Sequence, residues 1–230
     1  MKIILIASNL ILFCSCNIYY LPNTRSIPMF EKKKELQTSA SVIGGLNFQS
    51  AYSLSNHLGI IANGLYYSSQ TNTSSALINY YEGGLGYYSN NSQTNFAVFG
   101  GYGVGKMDVN NSNNNFYYND PAHGQYQKFF IQPGYSFKEK NFWYGAVLRI
   151  SYVDFSNLTS YDTGQPLSLT NNRIVFFEPA AMCRFNYKKI FATAQGGVNY
   201  QAFGIDGKIG YLPFQYAIGV GLKLNFDKVK

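Results

Sequence analysis

Three features of the sequence predict an all-β chain closed into an antiparallel up-and-down transmembrane β-barrel of about ten strands, within bounds of about eight to twelve. Apolar residues alternate with small or polar ones along most segments. The connections alternate between short and long. Charge is suppressed to 13% of residues, while Tyr 21 and Phe 18 bring the aromatic share to 17%. Soluble domains are usually about a quarter charged. The aromatic load excludes a disordered chain, and no apolar run after residue 13 is long enough for a membrane helix.

The elements follow in chain order. Met1-Lys2 and the eleven-residue run IILIASNLILF form the charged start and apolar core of a secretory leader, too short to span as a helix. Small residues at the cleavage site are lacking, since Phe13 precedes Cys14-Ser15-Cys16. A lipoprotein leader suits the stretch better. Residues 1–15 are then a lipoprotein signal peptide, with Cys16 as the lipid attachment and acceptor of a diacylglyceryl group. The plainer alternative is a secretory leader that merely contains cysteines. Residues 16–35 read as a lipidated tether, in which Pro22 and Pro28 discourage regular structure. Cys183 would be the one cysteine left besides Cys16, which gives no disulfide framework.

The barrel is expected over residues 36–230, with strands at 36–45, 47–54, 58–68, 78–88, 95–105, 128–137, 142–152, 173–187, 190–203 and 214–226. The last is the clearest. Phe214, Tyr216, Ile218, Val220, Leu222, Leu224 and Phe226 share one face, and Gln215, Ala217, Gly219, Gly221, Lys223 and Asn225 the other. A strand between lipid and a polar lumen needs this period of two. Along 142–152, Phe142, Tyr144, Ala146, Leu148, Ile150 and Tyr152 likewise oppose Trp143, Gly145, Val147, Arg149 and Ser151. Tight turns are expected at 55–57, 89–93, 138–141 and 187–189, and longer loops at 69–77, 108–125, 156–172 and 204–213. The short connection at 45–47 breaks this rule. GGYGVG (100–105) has no helix after it to present N–H groups, so its glycines belong to strand curvature rather than to a phosphate loop.

Strand parity puts the start of the first strand and the chain's C-terminus beside the tight turns. Most basic residues, among them Arg25, Lys32, Lys33, Lys34, Lys138, Lys140, Lys188 and Lys189, map to that end or to the tether. The net charge of +7 is expected there, facing anionic headgroups or solvent, and it provides no base-stacking groove for nucleic acid. The lumen-facing charges are expected to be Glu82, Lys128, Arg149, Glu178, Arg184 and Lys223, with Arg149 opposite Glu178 as an inward ion pair. In so narrow a barrel these side chains fill the lumen rather than line a pore. His123 with Asp120 is the one acid–base constellation in view. It lies in an Asn-rich loop with no nucleophile or metal-ligand motif beside it, and reads as solvated.

The leader FCSC, the alternating strands and the aromatic-ended last strand YAIGVGLKLNF resemble the small outer-membrane β-barrel proteins of Gram-negative bacteria, and more narrowly barrels with a lipoprotein leader. Phe226 resembles the aromatic end of that class's assembly signal, although Asp227 to Lys230 follow it. The resemblance implies an outer-membrane location, with the N-terminus and tight turns periplasmic. It implies outer-membrane lipids and the barrel-assembly machinery as partners, while the composition of NNSNNNFYYND suits a surface loop contacting glycans or proteins. No cofactor beyond the lipid is expected. The leading expectation is a non-enzymatic barrel with a structural or surface-interaction role through its long loops. The alternatives are a narrow porin-like channel or small-ligand carrier using the charged lumen, a barrel enzyme acting through His123, and a soluble lipid-tethered periplasmic β protein.

Overall fold

A computed structural model describes residues 20–42, 44–72, 74–91, 93–111, 121–160, 164–166, 172–204 and 210–226. The leader, Cys16, the Asn-rich stretch 112–120 (which includes Asp120) and residues 227–230 lie outside these. The strands are β1 (Glu35–Val42), β2 (Leu46–Ser53), β3 (Leu58–Gln70), β4 (Ser74–Asn90), β5 (Thr94–Asn111), β6 (Ala122–Glu139), β7 (Phe142–Ser160), β8 (Arg173–Tyr187), β9 (Ile190–Val198), β10 (Tyr200–Phe203) and β11 (Phe214–Asn225).

Each strand pairs antiparallel with its neighbour from β1 to β9. β11 joins β9 to β1, so the sheet closes on itself. β9 and β10 both pair with β8 and are separated by Asn199 alone, so the two pieces fill one position of a ten-position wall. Closure removes the unpaired edges that an open sheet would present.

Burial alternates residue by residue, as eBeBeBeB over the first eight residues of β11 shows. The inward set of β7 contains Trp143, Val147, Arg149 and Ser151, all buried. Outward, the wall exposes aliphatic side chains such as Ile60, Leu85, Ile131, Leu148, Ile218, Val220 and Leu222. Exposed aromatics bound this band. Phe96, Tyr135 and Phe137, with half-buried Tyr144 beside Phe137, sit toward one rim, and Tyr102, Phe129 and Tyr152 stand level with one another higher up. From Tyr144 to Tyr152 is roughly 26 Å along the strand, or about 20 Å after a tilt of roughly 40°.

The wall is uneven. β1 and β2 have 8 residues each, whereas β4 to β7 have 17 to 19. The loops expected at 69–77, 108–125 and 156–172 are therefore entered by strand from their ends. β3 runs to Gln70 and β4 starts at Ser74, β5 runs to Asn111, and β7 runs to Ser160. Those segments are rich in Ser, Thr and Asn, which hid the periodicity. Paired with their neighbours, they satisfy their backbone groups by continuing the ladder. At the other end the tight turns hold. Lys140 and Lys188 take positive φ, 52° and 56°, at the first position of two-residue turns, which matches the twist of the flanking strands.

Candidate functional site: a lumen filled by the N-terminal segment

The segment expected as a tether lies inside the barrel, where it is buried at every residue from 20 to 30. Tyr20 stands at the long-loop end. Its N–H donates to the Gly210 carbonyl at 3.1 Å, and the Leu212 N–H donates to its carbonyl at 3.3 Å. Its ring stacks on Phe176 with centroids 4.6 Å apart, in a cluster with Leu65, Met107, Val109 and Phe155. Phe30 packs at the other end with Ala51, Tyr88, Ala97 and Phe99. Ile27 and Met29 pack between them against Trp143, Val147 and Ala180. The segment leaves at the tight-turn end, where Lys34 bonds to Ser53 and Phe226 through backbone groups, and the chain then enters β1.

An extended chain in a lumen makes no ladder of its own, so its N–H and C=O groups need partners from the wall. Asn and Gln side chains supply them, because an amide carries both a donor and an acceptor. Gln195 accepts from the Arg25 N–H at 2.9 Å and donates to the Arg25 carbonyl at 2.8 Å. Gln37 does the same for Met29, at 3.2 and 2.8 Å. Asn47 accepts from the Thr24 N–H, while Gln49, Gln132 and Gln215 donate to the carbonyls of Thr24, Ser26 and Pro22. Asn95 and Asn90 donate to the carbonyls of Pro28 and Phe30. These amides come from β1, β2, β4, β5, β6, β9 and β11, so the segment is held on almost every side and chiefly by its backbone.

Three side chains of the segment enter a buried charge network. Glu82 is its centre. The Arg149 guanidinium donates to both Glu82 oxygens, at 3.0 and 3.2 Å, and Lys128 Nζ lies 3.3 Å from Oε2. Tyr80, Asn63 and Asn23 donate to the same carboxylate at 2.7, 2.7 and 2.8 Å. The Asn23 carbonyl in turn accepts from Arg149 at 2.9 Å and Lys128 at 3.3 Å, so one amide bridges the carboxylate and both cations. Arg25 reaches Glu178 at 3.7 Å and also donates to Gln215 and Asn199. The Tyr20 hydroxyl donates to Glu178 at 2.6 Å. Glu82, Lys128, Arg149 and Glu178 have fully buried side chains. Arg184 donates to Gln37 at 2.7 Å and lies over the Phe191 ring.

Two expectations change here. Arg149 and Glu178 are register partners, but Arg149 turns to Glu82, because Arg25 and Tyr20 of the segment occupy Glu178. Arg25 was expected among the rim charges and is instead 0% exposed within the lumen.

Lys223 is nearer the tight-turn rim, where it and Lys138 pair with Glu31 of the segment. Half-burial opposes ionisation of Glu31, yet the hydrogen bonds from Lys138 and Lys223 overcome it and hold the carboxyl below its ordinary range. Beside the segment, a void lined by Ser26, Ile27, Gln37, Gln49, Arg184 and Thr193 has a volume of about 30 Å³, room for about one water.

His123 lies in β6, half-buried, with Asp108 of β5 as its register partner. Among the described residues, no group of three His, Cys, Asp or Glu side chains is placed to hold a metal ion.

No protein-family model matches the chain, and no curated protein matches it. Among solved structures, it is similar to the translocator domain of the autotransporter NalP from Neisseria meningitidis, at 12% identity and a TM-score of 0.47, covering 84% of this chain and 86% of that one.

Proposed function

We propose that the chain is a non-enzymatic outer-membrane β-barrel lipoprotein that is closed by its own N-terminal segment and acts structurally or through surface contacts at its long-loop end. The observation that carries this reading is the continuous burial of residues 20 to 30 along the lumen. A segment whose backbone is bonded by amides of seven strands, and which is joined to two buried carboxylates, fills the space through which a channel would conduct. The outward band of aliphatic side chains, bounded by aromatics, supports a wall in contact with lipid. It counts against the soluble lipid-tethered alternative. Bare aliphatic area on that scale would aggregate in water.

Two measurements test the reading. In planar bilayers the purified protein is expected to give no sustained conductance steps, and steady openings in the wild type would favour the channel. On gels, unheated protein from both wild type and Cys16→Ala membranes is expected to run differently from its boiled form. Loss of that shift, with release of Cys16→Ala into the soluble fraction, would leave the lipid as the sole membrane attachment.

A further inference from the structure

The direction of the segment carries a consequence for everything that precedes it. The chain passes Tyr20 at the long-loop end, against Gly210 and Leu212, and reaches Lys34 at the tight-turn end, against Ser53. Since the two ends are opposite, residues before Tyr20 start from the face that bears the long loops. We propose that the barrel delivers its own N-terminus to that face, so that acyl chains on Cys16 insert in the leaflet beside the long loops. On the outer-membrane reading above, on which this inference rests, that is the outer leaflet and not the periplasmic one.

Reach decides between the two leaflets. Cys16 precedes Tyr20 by four residues, which span at most about 14 Å when fully extended. The chain uses eleven residues, Tyr20 to Phe30, to cross the lumen once. Four residues cannot make that crossing in reverse. Nor is there space for a second pass, because the segment's apolar side chains fill three packed clusters along the lumen. The rim is within reach, since a barrel of about ten strands has a radius on the order of 8–10 Å. The mode of binding agrees with such a passage. Gln37 and Gln195 each grip one residue by both its N–H and its carbonyl, which orders an extended chain without asking much of its side chains.

The test uses the full chain in a Gram-negative host, with one epitope tag placed either between Ile18 and Tyr19 or after Lys140 in a tight turn. Antibody staining of intact and permeabilised cells is read beside the heat-dependent gel shift. Staining of the first tag on intact cells, with the Lys140 tag visible only after permeabilisation, is the expected result. If both tags need permeabilisation while the gel shift persists, the delivery inference is overturned and the barrel reading stands. If both stain on intact cells, or if the gel shift is lost in the untagged wild type, the outer-membrane reading itself falls. Should either insertion prevent folding, the wild-type protein supplies the answer. Protease treatment of intact cells is expected to trim residues ahead of Tyr20 and leave Lys32 to Lys34 intact, as read by mass spectrometry. Lys32 to Lys34 cut with the N-terminus retained would refute the direction of passage.

Discussion

Glu82→Gln is the substitution that most directly probes how the lumen is held. It keeps the shape of the side chain and removes the charge on which Arg149, Lys128, Tyr80, Asn63 and Asn23 converge. The wild-type network sets two carboxylates, Glu82 and Glu178, against Arg25, Lys128 and Arg149. The variant leaves Arg149 and Lys128, both fully buried, with no carboxylate within bonding distance. A glutamine also turns an amide N–H₂ toward donors that had met an oxygen, and each buried group left unsatisfied costs about 1–3 kcal/mol. Stranding one member of a buried pair costs about 3–5 kcal/mol. At about 2–4 °C per kcal/mol for a chain of this size, the folded gel species is expected to disappear roughly 6–20 °C earlier on heating. Pairing Glu82→Gln with Lys128→Met should recover part of the loss, because one stranded cation is removed, and a double-mutant cycle measures that coupling. A Glu82→Gln protein within about 1 kcal/mol of wild type in detergent unfolding would refute the reasoning and mean that water reaches the centre of the lumen.

Other perturbations separate the remaining parts of the argument. Val220 is 64% exposed on the outward face of β11, and Val220→Arg is expected to cost about 2–4 kcal/mol in lipid vesicles. A change below about 0.5 kcal/mol would mean that water, not lipid, covers that face. Gly105→Ala would drive its new Cβ into the buried Tyr126 ring, and urea unfolding is expected to show a loss of about 1–3 kcal/mol from overpacking. Glu31 predicts an acid response. Its carboxyl ionises below the ordinary value of 4.5 in the folded state, so its stabilisation is full above about that pH and is lost as pH falls through the lower folded value. The pairs with Lys138 and Lys223 are partly exposed, so the effect is about 1 kcal/mol or less, and Glu31→Gln should flatten that part of the pH–stability curve.

The wall was legible in the sequence wherever one face met lipid and the other did not. β11 shows this best, since its outward residues are aromatic and then aliphatic, and its inward ones small or polar. The upper ends of β4, β5 and β7 were not legible, because there the pattern inverts: Met107, Val109, Val153 and Phe155 are buried inward while Asp108, Asp154 and Ser156 point out, so the apolar outward face that marks the rest of each strand is lost. The occupant of the lumen was the larger omission. YLPNTRSIPMF carries two prolines and no strand pattern, which suits a linker and equally suits a chain whose partners are side chains. The signal lay in the wall. Gln37, Asn47, Gln49, Asn63, Asn95, Gln132, Gln195 and Gln215 all fall on inward positions, six of them buried and two half-buried, and so many inward amides require backbone or charge to bond with. The inward charges could be named one by one from the phase of each strand. Their partners could not, because Arg25 and Tyr20 compete for Glu178 from outside the sheet.

The closure of β1 against β11 has a further consequence, which concerns the order of assembly. The seam joins Glu35 to Asn225 and Val42 to Ile218, so the ring is completed by residues almost two hundred positions apart. The segment just ahead of Glu35 passes through that same ring, so the molecule has the topology of a lasso whose loop is fastened by hydrogen bonds. A tail can enter a lasso by sliding or by having the loop drawn around it. Were Cys16 acylated as proposed, sliding would be closed to it, since the wall packs tightly around one extended chain at Tyr20, Ile27, Met29 and Phe30 and leaves no width for acyl chains. The seam would then have to close after the tail is in place, and an acylated N-terminus would act as a stopper that keeps the tail from being pulled out. Retention of the segment is in that case mechanical as well as energetic, and it outlasts the loss of any single hydrogen bond that holds it.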